Sequence, residues 1–337
     1  MKPEISRKLC CLQFVCALMI ITLHTALPGS FDRNLPQWAL TVNLYWRYLA
    51  DAAISTFFFL SAYLCYRRAD ERNYWKLLLG KLRTLILPYL LWSALFYAHS
   101  LFREYLVWGT IMQPTDARTV FRRITYDSAL PVLWYIRTLL GLIVLFPVIR
   151  WCVQKKWPAR VGGGICLILV CIPQLAIHYS TMVYWAPVYV LGAYIGYWHK
   201  DRFESIPDGT NRWKYPLAAA LLVGTCLLRH SGHQLHYLFW IPAPLLLWVL
   251  ADGCCRLRKL PWWVDTSFYL YCCHLLMEPY AVKLYQKVLG TGTASFVMAG
   301  LGLPLLCAAL CLIGAWIVRL ICPWVYAVFT GLRPERR

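Results

Sequence analysis

The feature that most constrains this chain is an uncharged apolar run over residues 9–27, LCCLQFVCALMIITLHTAL. At about 1.5 Å per residue, its roughly 19 residues match one crossing of a hydrocarbon core of about 30 Å. The basic start with Lys2, Arg7 and Lys8 also fits a secretory signal peptide, but the run is longer than a signal peptide's apolar core and further apolar runs follow. We therefore predict a retained first membrane helix. His24, near its far end, is costly in lipid unless it faces a wet cavity or a partner.

Similar apolar windows recur along the whole chain, in which 60% of the residues are hydrophobic and the mean hydropathy is +0.52. Soluble domains are nearer half apolar. The sequence therefore predicts an all-α fold: a polytopic membrane helix bundle of about ten transmembrane helices that forms one integral-membrane domain over residues 1–337. The windows are 9–27, 46–66, 84–102, 131–150, 161–178, 182–198, 215–229, 237–251, 263–285 and 295–320.

The basic residues are distributed unevenly between the loops. With the N-terminus inside, most of the 34 Lys and Arg residues fall in segments on the cytoplasmic side. This positive-inside pattern predicts that both termini are cytoplasmic and that His24 lies toward the outer side of the membrane. The net charge of +19 follows mostly from topology and attraction to anionic lipid, and we expect no nucleic-acid partner. A second interpretation is a cytoplasmic surface suited to a phosphate-bearing donor.

Neither the cysteines nor the histidines form a recognisable metal framework. The 15 cysteines lie mostly inside apolar windows, without a CxxC motif, and are predicted to be small core residues. The outer segment 229–236 holds three histidines, but Gly232 interrupts helical geometry and no carboxylate lies nearby. We interpret this segment as a polar loop and predict no metal site.

Charged side chains also fall inside two of the predicted outer helix ends. Arg47 and Asp51 are four residues apart on one helical face, where they form either an ion pair at the outer interface or a polar patch lining a cavity beside His24. Arg137 follows Trp134 and lies roughly two turns into its helix, a depth at which a guanidinium needs a partner or a bound anion. The longest outer connection, residues 103–130, is large enough to cover a site.

The third predicted helix begins with basic residues. Lys81 and Arg83 lie at the cytoplasmic membrane edge, where the planar fork of an arginine suits phosphate recognition. Alternatively, Arg83 only extends its charge to the interface. Pro88 is expected to bend the helix. The preceding segment, residues 69–83, is predicted to be an interfacial helix or an ordinary loop.

His274 lies near the middle of the ninth predicted helix. Glu278 is four residues further on and therefore on the same helical face, where its carboxylate is expected to orient the imidazole. The alternative is a buried polar pair whose members satisfy only each other. Both interpretations require the two side chains to face the bundle interior.

At this point the chain resembles acyltransferase family 3, a family of ten-span inner-membrane proteins that mostly move acetyl or other short acyl groups from acyl-coenzyme A onto cell-surface carbohydrates. The resemblance covers most of the chain and rests on the order of several short motifs. These are the first helix ending in His24, the run FFFLS at 57–61, residues 81–92 with Pro88-Tyr89, LWYIR at 133–137 followed by Phe146-Pro147, LGAYIG at 191–196, and SFYLY at 267–271 leading to His274.

The resemblance implies that His24 is the histidine essential for transfer and that basic residues near the third helix engage the donor. An imidazole can take a proton from a sugar hydroxyl as that hydroxyl attacks a thioester. The chain departs from the family pattern at four places. Gln13 stands where a basic residue commonly precedes the histidine, and Cys10 stands where an acidic residue often lies three positions earlier. Only Lys81 and Arg83 remain of the third-helix arginine pattern, and Thr138 replaces the acidic residue after Arg137.

These features favour a membrane O-acyltransferase of the bacterial cytoplasmic membrane, with acyl-CoA as a donor substrate, no bound cofactor, and an envelope glycan or lipid-linked sugar as acceptor. The predicted catalytic residues are His24, His274 and Glu278. The predicted substrate-binding and donor-binding residues are Lys81, Arg83, Arg137, Trp134, Arg47 and Asp51. The alternative functions are export of a glycan or lipid through the same polar cavity, and acylation of an acceptor that is not a sugar.

Overall fold

The structure is a computed structural model that describes residues 1–25, 27–32, 34–172, 177–207, 211–228 and 236–331. Every regular element in these ranges is helical, which confirms the predicted all-α class, and each of the predicted windows contains helix. The helices are α1 (Pro3–His24), α2 (Gln37–Ala50), α3 (Ala52–Tyr66), α4 (Tyr74–Lys81), α5 (Leu87–Trp108), α6 (Ala117–Thr125), α7 (Trp134–Val144), α8 (Phe146–Gln154), α9 (Trp157–Cys171), α10 (Met182–Trp198), α11 (Lys200–Phe203), α12 (Lys214–Leu228), α13 (His236–Trp240), α14 (Ala243–Leu250), α15 (Ser267–Leu289), α16 (Thr293–Ile321) and α17 (Pro323–Phe329).

Five helical stretches of the described chain are long and apolar enough to cross a membrane. A sixth is added if α7 and α8, which meet at a bend of 61°, are counted as one span. The protein is therefore a multi-pass membrane protein with five or six such helices. The predicted number of ten spans stays a prediction, because α9, α10 and α12 have 15, 17 and 15 residues, fewer than the about 20 that a perpendicular crossing needs. The cytoplasmic location of both termini also stays a prediction. The five stretches are Pro3–His24, Gln37–Tyr66, Tyr74–Trp108, His236–Arg256 and Thr293–Ile321.

Helices α3 and α10 pack with their backbones in close contact, and two glycines of α10 allow this. A Cβ atom on Gly192 would overlap the carbonyl oxygen of Phe59, and one on Gly196 would lie 2.7 Å from the carbonyl oxygen of Tyr63. Small residues four apart permit such approach between membrane helices, where packing replaces the hydrophobic effect as the driving force. The LGAYIG motif therefore sets the position of α3, which carries the aromatic run at 57–61.

The third predicted helix is continuous with the basic segment before it. Residues Leu82–Ile86 form one π-helical segment between α4 and α5, in which the N–H of Leu87 donates to the carbonyl of Leu82. Such a segment inserts one extra residue into an α-helix and is frequent at functional sites. Pro88 follows directly at the start of α5, where its missing N–H is tolerated. The segment 74–81 is thus a helix, as one of the two sequence interpretations predicted.

The long connection after α5 is fixed to that helix by three hydroxyl groups spaced four residues apart. The hydroxyls of Tyr89, Ser93 and Tyr97 donate to the carbonyl oxygens of Thr125, Arg123 and Pro114, at 2.9, 2.9 and 2.6 Å. Residues four apart lie on one face of a helix, so a single stripe of α5 holds α6 and the segments on either side of it. This connection is therefore an ordered part of the molecule.

The N-terminal end of α1 is joined to the far part of the chain by a buried cluster of charges. The ammonium group of Lys8, which is 1% exposed, lies 2.5 Å from one carboxylate oxygen of Asp252, and Lys214 lies 2.6 Å from the other. Lys8 also lies over the ring of Trp248 at 4.1 Å. A buried charge of this kind is tolerated only when it is paired, so Asp252 fixes α1 against the 3₁₀ helix Ala251–Arg256.

Candidate functional site

The two predicted histidines meet in the bundle interior. The ring centroids of His24, the last residue of α1, and His274 of α15 lie 5.2 Å apart with an angle of 43° between the rings. His274 is fully buried, and its Nδ1 lies 3.2 Å from the carbonyl oxygen of Leu270. A carbonyl oxygen only accepts, so Nδ1 carries the proton. Nε2 of His274 then presents a lone pair, and it has no hydrogen-bond partner among the described residues.

His24 lines a small enclosed space, which we term the upper cavity. Its volume is about 30 Å³. Neither ring nitrogen of His24 hydrogen-bonds to a described residue, and the side chain is half-buried. The imidazole is therefore available to a bound group. The cavity is lined by Ile20, Leu23, His24, Ile54, Phe57, Val132, Trp134, Tyr135 and Tyr271.

A second space, the lower cavity, lies nearer the N-terminal end of α1 and has a volume of about 90 Å³. It is more polar than the upper cavity, because Gln13, Ser61 and Ser267 line it beside two tyrosines. Gln13 precedes His24 by eleven residues, a rise of about 16 Å along α1. The lining residues are Gln13, Phe57, Ser61, Leu85, Tyr135, Ile136, Leu139, Ser267, Phe268 and Tyr271.

Of the predicted residues in the fourth window, Trp134 lies at the upper cavity and Arg137 contacts the outer connection. Trp134 lines the cavity beside His24. Arg137 lies one turn into α7 and donates from its guanidinium to the carbonyl oxygen of Tyr126 at 3.0 Å, with the Tyr126 ring at 5.4 Å. The partner that the sequence required for this guanidinium is therefore a backbone carbonyl of the outer connection. A role of Trp134 or Arg137 in substrate binding stays a prediction.

Glu278 does not make the predicted contact with His274. The Nδ1–H of His274 is directed to Leu270, in the preceding turn, and the other ring nitrogen has no partner in the described chain. The imidazole reaches back to the backbone of residue 270, in the direction in which the side chains of an α-helix lean. Glu278 is half-buried, and its predicted catalytic role stays untested.

The predicted pairing of Arg47 with Asp51 is also absent from the ion pairs that the described residues form. Asp51 stands at the junction of α2 and α3, and its backbone N–H donates to the carbonyl of Arg47 at 3.1 Å. The two residues therefore meet through the backbone. Arg47 is half-buried and lines neither the upper nor the lower cavity, so the polar patch beside His24 stays a prediction.

The basic residues of the third window lie at the other end of the site. Lys81 ends α4, and Arg83 lies in the π-helical segment, two residues before Leu85, which lines the lower cavity. Arg83 is exposed and has no partner among the described residues. Neither Lys81 nor Arg83 lines the lower cavity, and their predicted contact with donor phosphates stays a prediction.

The largest of these cavities is elsewhere and contains none of the predicted site residues. It has a volume of about 510 Å³ and lies beside Lys8, Arg202, Phe203, Trp248 and Asp252. The part of the chain that the structure describes holds no cluster of three or more His, Cys, Asp or Glu side chains able to bind a metal. The histidine-rich segment at 229–235 lies outside the described residues, and His236 begins α13.

Sequence reasoning missed three aromatic residues that lie between the two cavities. Phe57, Tyr135 and Tyr271 each line both the upper and the lower cavity. Each belongs to a motif that carried the family resemblance, but an aromatic residue in a membrane helix is far more often part of the packing. Gln13 was noted only as a departure from the family pattern, and in the structure this departure lies in the wall of the lower cavity.

The fold and the site define a polytopic membrane protein in which an imidazole lines a cavity inside a helix bundle. Residues 8–320 match the acyltransferase domain family, and the chain belongs to that family, acyltransferase family 3. It is 24% identical over 300 residues to the succinoglycan biosynthesis protein ExoH of Rhizobium meliloti (strain 1021), an alignment that covers 81% of this chain and 77% of that protein. No solved structure matches the chain.

Proposed function

We propose that this protein is an O-acyltransferase of the bacterial cytoplasmic membrane that moves an acetyl or other short acyl group from acyl-coenzyme A to a hydroxyl of an envelope glycan or lipid-linked sugar. The observation that carries the proposal is His24, whose ring nitrogens have no protein partner in the described chain and whose side chain lines the upper cavity. Family membership and the similarity to a protein of succinoglycan biosynthesis support this acceptor class.

The chemistry follows from an imidazole that is free to accept a proton. His24 takes the proton of the acceptor hydroxyl as the oxygen attacks the thioester carbonyl of the donor. A carbon–oxygen bond forms, the carbon–sulfur bond breaks, and the proton held by His24 is transferred to the leaving coenzyme A thiolate. The products are the acyl ester and free coenzyme A, and His24 returns to its neutral form.

His274 is proposed to position His24. Its Nε2 lone pair is buried and without a partner in the described chain, while its Nδ1–H is held by Leu270. An unsatisfied buried acceptor costs about 1–3 kcal/mol. A small rotation of the His24 ring would satisfy it with an N–H from His24, which would turn the other nitrogen of His24 toward the cavity. In this role His274 acts through His24 and does not touch the substrate.

The donor is proposed to approach from the end of the site at which Lys81 and Arg83 lie. Both residues lie within four positions of Leu85, which lines the lower cavity, and a guanidinium pairs well with phosphate oxygens. The acyl arm would extend through the lower cavity toward His24, and the acceptor would arrive at the opposite end, beneath the outer connection. This arrangement lets a cytoplasmic donor and an outer acceptor meet at a histidine that lies near the outer side.

The test uses the purified full-length protein in lipid nanodiscs with radiolabelled acetyl-CoA and an envelope fraction from cells that lack the protein. We expect label in the carbohydrate fraction with the wild type and a loss of at least about a hundredfold with His24→Ala, since general acid–base catalysis contributes 10²–10⁴-fold. His199→Ala, which removes an exposed histidine near α11, is the matched control and should retain activity. Equal transfer by His24→Ala and the wild type would refute the role of His24.

A further inference from the structure

Three aromatic rings form a closed triangle in the middle of the bundle. The ring centroids of Phe57 and Tyr135 lie 6.0 Å apart, those of Tyr135 and Tyr271 lie 6.0 Å apart, and those of Phe57 and Tyr271 lie 6.4 Å apart. These separations are ordinary contact distances between aromatic side chains. The residues come from three different elements, α3, α7 and α15. We term this group the ring triangle.

The ring triangle is the wall shared by the two cavities. Its three residues are the only ones that line both the upper cavity and the lower cavity within the described chain. A group that extends from the lower cavity to His24 therefore has to pass between these rings. The rings are in contact, so the passage is closed in this structure.

The members of the triangle differ in how they are held. The hydroxyl of Tyr135 lies 3.1 Å from Oγ of Ser61, and the hydroxyl of Tyr271 donates to the carbonyl oxygen of Val132. Phe57 has no polar atom in its side chain and is half-buried. Rotation of the Phe57 ring about χ1 or χ2 therefore breaks no hydrogen bond, whereas displacement of either tyrosine does. Phe57 is the member of the triangle that can move.

The upper cavity beyond the triangle accepts only a small group. A water molecule needs about 10–15 Å³ by the same measure of volume, so about 30 Å³ holds roughly two water-sized groups. The methyl group and the carbonyl oxygen of an acetyl group match that space. The acyl group leads the thioester sulfur into this cavity, so a four-carbon chain would place two more carbons there and would exceed the space unless the Phe57 ring is displaced.

We propose that the ring triangle of Phe57, Tyr135 and Tyr271 selects the length of the transferred acyl group, admitting two-carbon acyl thioesters to His24 and excluding chains of four carbons or more. This inference rests on the proposed acyl-transfer function and names the class of donor for that site. The selection arises because the acyl group enters ahead of the thioester sulfur and has to fit in the upper cavity beside Phe57, while the donor arm lies behind it between the rings. Shortening the side chain at position 57 leaves room for the longer chain.

The test compares acetyl-, propionyl- and butyryl-CoA as donors, with the nanodisc-reconstituted full chain and the envelope acceptor fraction, and measures kcat/KM for each. We expect the wild type to favour acetyl-CoA over butyryl-CoA by at least about tenfold, since one methylene in a tight pocket changes kcat/KM by 10–200-fold. Phe57→Ala should raise the butyryl-to-acetyl ratio by about tenfold, and Phe57→Leu by a smaller amount. Phe57→Leu keeps most of the buried volume and serves if the alanine variant does not fold.

The matched control is Phe96→Ala, because Phe96 is a half-buried phenylalanine of α5 that lines neither cavity. The butyryl-to-acetyl ratio of kcat/KM for Phe96→Ala should stay at the wild-type value. The inference is overturned if the wild type uses butyryl-CoA as well as acetyl-CoA, if neither Phe57 variant changes the ratio, or if Phe96→Ala changes it equally. A wild type that transfers no acyl group from any donor overturns the proposed function and this inference with it, whereas transfer without selection by length overturns the inference alone.

Discussion

His24 and His274 are 250 residues apart in the sequence, yet their ring centroids lie 5.2 Å apart. Of the two, only His24 lines the upper cavity. The pair is asymmetric, because His274 is fully buried and bonded to Leu270, while His24 has no protein hydrogen bond in the described chain. This asymmetry separates the two predicted catalytic histidines into a residue that faces substrate and a residue behind it.

The first prediction concerns the positioning role of His274. His274→Phe keeps the ring volume and removes the Nε2 lone pair, so kcat should fall about tenfold to a hundredfold while KM for acetyl-CoA stays unchanged. In the His24→Ala variant, His274→Phe should not lower kcat any further, because the effects of substitutions at residues that act as a unit are not additive. Steady-state kinetics of the two single variants and the double variant measure this. Independent, additive losses would show that His274 acts only through packing.

The second prediction concerns the donor end of the site. Arg83→Ala should raise KM for acyl-CoA by about tenfold and leave kcat nearly unchanged, because a hydrogen bond to a charged group contributes about 1.5–3 kcal/mol. Arg202→Ala is the control, since Arg202 is an exposed arginine beside the largest cavity and away from the lower one. Equal effects of the two substitutions would indicate a general loss of surface charge and no specific phosphate contact.

The third prediction concerns the packing of α10 against α3. Gly192→Ala should destabilise the protein by about 1–3 kcal/mol, because the added methyl overlaps the Phe59 backbone and neither helix can move without strain. The melting temperature in detergent, followed by tryptophan fluorescence, should fall by several degrees. Gly224→Ala places the same methyl in open space on α12 and should leave the melting temperature unchanged or raise it slightly, because alanine favours a helix over glycine. A Gly192→Ala protein as stable as the wild type would contradict the close approach.

The fourth prediction concerns the outer connection. Tyr89→Phe combined with Tyr97→Phe removes two of the hydroxyl contacts that hold it, each contributing about 1 kcal/mol. Trypsin cleavage after the exposed Arg118, Arg122 and Arg123 should therefore become about ten to thirty times faster. Tyr105→Phe, on the same helix but without a hydroxyl contact to the described residues, should be cleaved at the wild-type rate. Equal cleavage of all three proteins would show that other contacts fix the connection.

Much of the fold could be predicted because hydrophobic windows are the strongest signal in a membrane protein. Helix is present in each predicted window, including the region of α12 to α14, where short apolar runs are separated by polar residues. The hydrophobic pattern does not show whether a window forms one straight helix or is interrupted by a bend. The bend of 61° between α7 and α8 and the π-helical segment before α5 depend on local hydrogen bonds that composition does not encode.

The site was predictable where a polar side chain stands out against an apolar background. His24 and His274 were found in this way, because a polar ring in lipid needs an explanation. The pairing of Glu278 with His274 was wrong because residue spacing gives the helical face and does not give the hydrogen-bond partner, which for Nδ1 of His274 is the backbone carbonyl of Leu270. The buried ion pair of Lys8 and Asp252 could not be predicted from the sequence, because it joins residues that are remote along the chain. In the sequence, Lys8 is one of several basic residues at the N-terminus.

The π-helical segment Leu82–Ile86 has a consequence for the phase of the helix that carries the donor-end residues. One residue of an α-helix corresponds to a turn of about 100° and a rise of about 1.5 Å. The extra residue of the segment therefore rotates Lys81 and all of α4 by about that angle relative to α5 and the hydroxyl stripe at Tyr89, Ser93 and Tyr97. The phase between α4 and the hydroxyl stripe is therefore set by this one segment. Deleting one uncharged residue within 82–86 would restore a regular α-helical phase and turn all of α4 by about 100° relative to α5, without changing a single charge.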